Sequence, residues 1–198
     1  MAKPLQKIMR YIGEHGMVRP RDIEAIGLPR EYLVRLHRQG KLNRSGRGIY
    51  TLPDANVTER HSYAEVVKRV PEAVICLLSA LTFHEITTQS PASVWIALNK
   101  GARTPALASP SLRIVRLSGP SLTEGIENHQ VEGVLVRVYS AAKTVADCFK
   151  FRNKIGIDVA IEALKDCLRQ KKASINEVYR YAKICRVSNV IRPYMEAL

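Results

Sequence analysis

No stretch of this chain is long and apolar enough to cross a bilayer. The longest candidate, Ala73 to Phe83, falls well short of the roughly 20 residues that a spanning helix needs. No apolar segment follows the charged N-terminus, so no secretory leader and a cytoplasmic setting are expected. Cys76, Cys148, Cys167 and Cys185 are widely spaced and form no C-x-x-C pair, which argues for reduced, buried thiols rather than a disulfide framework or a zinc pattern. His61, His84 and His129 lie far apart and show no ligand spacing. There is no phosphate-cradling glycine loop, no paired Cys/His set and no nucleophile elbow. A metal-dependent nuclease would have to be assembled from Asp147, Asp158, Glu162 and Lys165. Glu162 and Lys165 fall on a predicted helix, whereas such sites usually set acid-x-Lys on a strand. The expectation is therefore a protein that is not an enzyme and uses neither cofactor nor metal. No repeat or low-complexity segment is present, and 46% hydrophobic with 25% charged residues is an ordinary globular balance.

What the chain has in excess is positive charge. Its formal net charge is +13 over 198 residues, which favours nucleic acid or another acidic partner and says nothing about fold. The charge is uneven. Residues 1–56 hold eleven Lys and Arg against five Asp and Glu, more than twice the charge per residue of the remainder.

That basic segment has a readable pattern. Leu5, Ile8, Met9 and Ile12 recur at helical spacing and predict a helix over 4–15, with Gly13 and Gly16 at its end and Met17-Val18 as a short bridge. Pro20 and Asp22 suit the first turn of a second helix, with Gly27 as its turn. Pro29 opens a third helix running to about Gln39, with Gly40 as its stop and Tyr32, Leu33 and Leu36 facing the core. Leu42 to Leu52 then reads as a small hairpin whose Gly46 and Gly48 permit a positive-φ turn and whose Ile49-Tyr50-Thr51 is a β-favouring return. Helices followed by a basic hairpin are the pattern of a winged helix-turn-helix. Pro53-Asp54-Ala55-Asn56 is turn-rich and marks the expected linker, giving a DNA-binding domain over 1–54 and a second domain over 57–198.

The second domain is expected to be α+β: a small β-sheet with a helical end. Helices are predicted over Thr58–Arg69, Ala73–Ile86, 141–150, 157–170, 174–185 and 187–197. Strands are predicted over Ser93–Leu98, Leu112–Leu117 and Val131–Tyr139, the last with a bend or bulge at Gly133, and Gly101–Pro110 is a loop. Trp95 sits in an apolar run and reads as core.

If the third helix reads DNA, its core residues leave Arg30, Glu31, Val34, Arg35 and Arg38 for the groove or the phosphates. Arg30, in the first turn, is the favoured base contact, because recognition helices read bases near their N-termini. Arg35 and Arg38 are favoured as backbone contacts. Arg44 and Arg47 flank the wing tip and suit phosphates or a minor groove. Arg19 and Arg21 are candidate phosphate clamps at the second helix's start. His15 and His37 are more simply solvated. A winged helix used only for protein contacts is the competing reading of this module.

The order of helix, Gly16-Met17-Val18-Arg19, Asp22-Ile23, Gly27, Leu33, Leu36, Gly40 and Arg47-Gly48-Ile49-Tyr50 resembles the N-terminal winged helix of AbiE-type abortive-infection antitoxins. Val74 to His84 looks like that family's Ser-Ala-Leu helix, and Val138 to Phe149 looks like its strand-to-helix Lys/Arg-Thr-x-x-Asp element. Gly156 to Leu164 resembles the helix that follows. The resemblance implies the antitoxin of a type IV toxin–antitoxin pair. It implies a repressor of its own operon that binds inverted repeats in double-stranded promoter DNA, and a second domain that counters a nucleotidyltransferase-like toxin directly or indirectly. Lys143, Lys150, Arg152, Lys154, Lys165 and Arg169 form the candidate toxin-countering surface. Thr144 and Asp147, three apart, read as a local helix-start interaction. The alternative is a winged-helix regulator unrelated to a toxin, whose second domain binds a ligand or partner.

Overall fold

The structure, a computed structural model, describes residues 2–45, 48–55, 57–87 and 89–198. It is an α+β protein that divides into two compact units, one of residues 1–71 with 130–136 and one of residues 72–129 with 137–198. The linker expected at Pro53–Asn56 therefore lies inside the first unit, with Asn56 itself outside the described residues.

The first unit begins with α1 (Ala2–His15), β1 (Met17–Val18), α2 (Pro20–Ala25) and α3 (Glu31–Arg38). The wing strands β2 (Asn43–Ser45) and β3 (Ile49–Thr51) follow, then α4 (His61–Arg69). Met17-Val18 is more than a bridge. It pairs antiparallel with β3, Val18 opposite Tyr50, and makes the wing a three-stranded sheet in the order β1-β3-β2. Ile8, Ile12, Val18, Ile23, Leu33, Leu36, Leu42 and Tyr50 form the buried core. At about 25 cal/mol per Å² of apolar area removed from water, these side chains are the main source of its stability. The helix expected from Thr58 starts at His61, because the Thr58 hydroxyl accepts from the Arg60 N–H at 3.2 Å and holds a turn there. Tyr63, Val66, Val67 and Val70 are buried as expected, and α4 packs on β1.

In the second unit, β4 (Val74–Ile75) precedes α5 (Leu77–Phe83), then β5 (Val94–Asn99), β6 (Leu112–Leu117) and α6 (Pro120–Thr123). The paired strands β7 (Ile126–Val131) and β8 (Val134–Tyr139) lead into α7 (Ala141–Lys150), α8 (Arg152–Ile155), α9 (Ile157–Arg169), α10 (Ile175–Ile184) and α11 (Ser188–Glu196). The sheet order is β6-β5-β4-β8-β7, with β4 antiparallel to β5 and parallel to β8.

Two expectations are corrected here. Ala73–Ile86 is not one helix: Val74-Ile75 is the middle strand of the sheet, and a continuous apolar run suits a strand buried on both faces as well as it suits a helix. Val131–Tyr139 is not one bent strand but the turn and return of a hairpin. Glu132 (φ 51) and Gly133 (φ 76) are both left-handed, as a two-residue hairpin turn of the I′ kind requires. Trp95 is only partly buried, against the main core.

The hairpin tip fixes one glycine absolutely. Gly16 has φ +64, and a Cβ there would lie 1.6 Å from the Glu132 carbonyl oxygen. A Cβ on Gly133 would reciprocally meet the His15 carbonyl carbon at 2.7 Å. Glu132 then closes a local network: its carboxylate accepts from the Thr58 N–H at 2.6 Å and from His61 Nδ1 at 2.7 Å. Burial pushes that carboxyl up, but the Thr58 and His61 hydrogen bonds outweigh it and hold it below the ordinary glutamate value. Gly16→Ala is expected to destabilise the first unit by about 1–3 kcal/mol through strain at a left-handed position and the clash with Glu132. Denaturant unfolding would measure it, and a loss within experimental error would contradict this packing.

Candidate nucleic-acid interface

The exposed face of α3 follows from its sequence. Leu33 and Leu36 are buried, so Glu31, Val34, Arg35 and Arg38 turn outward. Arg35 and Arg38 stand one turn apart on this face, and neither has an ion-pair partner among the described residues. Val34 is 41% exposed, an apolar contact placed beside two arginines.

Tyr50 ties this helix to the wing. Its side chain is buried, and the His37 ring meets it edge-on at 6.2 Å between centroids. The Arg44 guanidinium sits 5.9 Å from the same ring centroid. Arg44 also pairs across the ladder with Tyr50. His37 Nδ1 donates to the Leu42 carbonyl at 2.9 Å, fixing the C-terminal end of α3 to the entry of β2. The end of the helix and the basic strand are thus held against one aromatic side chain, and Arg38 and Arg44 belong to one neighbourhood. Arg47, with Gly46, lies outside the described residues.

The other sequence candidates fall into different settings. Arg21 is exposed on α2. Arg19 is not free: it caps α2 with its backbone N–H donating to Asp22 at 2.9 Å and its guanidinium paired with the same carboxylate at 3.1 Å. Lys68 adds a second cation to Asp22 at 3.4 Å. Burial raises the Asp22 carboxyl, and the Arg19 hydrogen bonds with the Lys68 charge carry it below its ordinary value. Arg30 stands just before α3, 65% exposed, with its Nε 3.8 Å from Glu24 and 3.7 Å from Glu31. Part of its charge is already spent on two carboxylates. His15 is not a phosphate contact either; it stacks on Tyr11 at 3.9 Å and hydrogen-bonds its carbonyl.

In the second unit the proposed basic surface needs one correction. Lys143 is fully buried. Its ammonium donates to Asp147 at 2.5 Å and lies 4.1 Å from the Tyr139 ring centroid. Ser140 caps α7, and that helix enters the core with nine consecutive buried residues, so a lysine there has no route to solvent. Lys150 and Arg152 are half-buried, each donating to a backbone carbonyl, Cys185 and Phe149 respectively. Lys154, Lys165 and Arg169 are exposed, Arg169 paired with Asp166 at 2.8 Å. Asp158 and Glu162 are exposed on α9 while Asp147 is sealed in the core, so the acids of the nuclease alternative are not brought together. His84 and His129 do approach, with ring centroids 6.3 Å apart, but no group of three metal-capable side chains occurs among the described residues. No helix of the described residues is long and apolar enough to cross a membrane.

Comparison with known proteins agrees with the first unit. Residues 6–53 match the family of AbiEi antitoxin transcriptional regulators, a span running from α1 to the end of the wing. No curated protein gives a significant match to the chain. Over those residues, the likeness read from the sequence is to an antitoxin of the regulator type with an N-terminal DNA-binding domain.

Proposed function

We propose that this protein is a DNA-binding repressor of its own operon and the antitoxin of a type IV toxin–antitoxin pair. The observation that carries the reading is the shared Tyr50 neighbourhood of α3 and β2, which places outward arginines from a helix and a wing together. The match over residues 6–53 supports it. The target is an inverted repeat in double-stranded promoter DNA, where two copies bind more tightly than one through effective concentration. The partner is a nucleotidyltransferase-like toxin, countered through the second unit, with Lys150, Arg152, Lys154, Lys165 and Arg169 as the outward cations and Lys143 removed from the set. The protein acts without a cofactor, in the cytoplasm.

Fluorescence anisotropy on a duplex from the chain's own promoter tests the first half. With Arg21, Arg35, Arg38 and Arg44 each neutralising a phosphate, affinity falls by about a hundredfold between roughly 50 and 200 mM salt. A flat salt response excludes this surface. Co-expression with the neighbouring gene tests the second half: toxicity of that gene alone, relieved by this protein, is the expected outcome. A neighbour harmless by itself favours a plain winged-helix regulator.

A further inference from the structure

Among the described residues, one cavity of the second unit is lined by four cations and no carboxylate. Lys100, Arg116, Lys150 and Arg186 surround a space of about 430 Å³, with the Ser118 and Ser121 hydroxyls at its wall. Each cation comes from a different place in the chain: the turn after β5, the strand β6, the end of α7 and the turn after α10.

Two of the four are held in place by neutral groups. Arg116 donates from Nη1 to the Asn99 and Ala102 carbonyls at 3.0 and 2.7 Å and from Nη2 to Thr104 Oγ1 at 2.7 Å. A guanidinium has five N–H donors, so Nε–H and one Nη2–H remain for another acceptor. Lys150 donates to the Cys185 carbonyl at 3.2 Å. These bonds fix the groups without cancelling their charge, and none of the four cations is paired with a carboxylate among the described residues. Arg186 is kept at φ 60, a left-handed position that disfavours a side chain. Like charges gathered in a concave, partly desolvated space raise the local positive potential and favour a compact anion of high charge. Arginine adds the fork that matches phosphate oxygens.

We propose that this cavity binds the polyphosphate group of a small ligand, with a nucleoside triphosphate as the size class. A volume near 430 Å³ is within the range of small-ligand pockets. The fixed Arg116 fork and the Lys150 ammonium grip the phosphates from the floor, and Lys100 and Arg186 close over them from the exposed rim. The site is independent of the winged helix, because every residue lining it belongs to the second unit.

Isothermal titration of the full chain with inorganic tripolyphosphate, a nucleoside triphosphate and a short single-stranded oligonucleotide tests the assignment. Saturable binding of the first two is expected, weakened about tenfold or more in Lys100→Glu and in Arg186→Gly. Arg186→Gly is the informative variant, because glycine suits φ 60 and the charge is lost without loss of fold. Its unfolding midpoint should not fall while its affinity does. Arg35→Ala/Arg38→Ala should bind tripolyphosphate as the natural chain does. Binding that survives both cavity variants, binding lost in the α3 variant, or binding of the oligonucleotide alone would each overturn the proposal, the last in favour of a nucleic-acid groove.

Discussion

Arg35→Ala combined with Arg38→Ala is expected to lower affinity for the operator by about 2–6 kcal/mol, from two contacts worth about 1–3 kcal/mol each. The two side chains share the outward face of α3, and no carboxylate among the described residues competes for them. Their loss leaves the core untouched, since Leu33 and Leu36 face the other way. The single variants divide the roles. A base-reading arginine, when removed, relaxes preference at one operator position, whereas a phosphate contact weakens every sequence alike and lowers the salt slope by about 1. Arg44→Ala is expected to behave in the second way, because its guanidinium is set against Tyr50 at the start of the wing. Arg30→Ala should have a smaller effect than Arg35→Ala, since Glu24 and Glu31 already share its charge. Unchanged operator affinity for the double variant, measured by anisotropy at one salt concentration, would remove α3 from the interface.

The contrast between these arginines marks how far the sequence could be read. The helix boundaries, the wing and the apolar positions of the first unit are legible because each carries its own local signal: periodicity, glycine stops and alternating strand residues. Which arginine is free is not legible, because Arg19 and Arg30 are engaged by carboxylates three to six residues away and Arg35 is not. The β7–β8 hairpin was hidden because its turn is Glu132-Gly133, without the Asn-Gly or Asp-Gly signature of a tight hairpin. Its left-handed glutamate is held by contacts to Thr58 and His61, more than seventy residues away in sequence. The cavity of four cations is beyond any local pattern, since its members come from four separate elements; Arg116 by itself is an alternating basic residue on a half-exposed strand.

Lys143 shows the same limit with the largest consequence for stability. A lysine and an aspartate four apart on a helix read from sequence as an exposed pair worth a few tenths of a kcal/mol. Here both are sealed. Burial pushes the Asp147 carboxyl up, while the adjacent Lys143 ammonium and the Cys185 thiol, which donates to Asp147 at 3.2 Å, pull the other way. Asp147→Ala leaves an ammonium in the core with only the Tyr139 ring facing it, and is expected to cost about 3–5 kcal/mol. Removing both charges is a different experiment. Lys143→Met with Asp147→Leu keeps two side chains of similar bulk and removes the desolvation of both ions, so stability should return to within about 1 kcal/mol of the natural chain or exceed it. Denaturant unfolding of the three proteins measures the difference. If the pair is structural, the double variant also keeps whatever toxin-countering activity the natural chain has in the co-expression assay. A double variant that folds as well as the natural protein but no longer relieves toxicity would show that this buried pair serves function, through a conformation in which Lys143 reaches the surface.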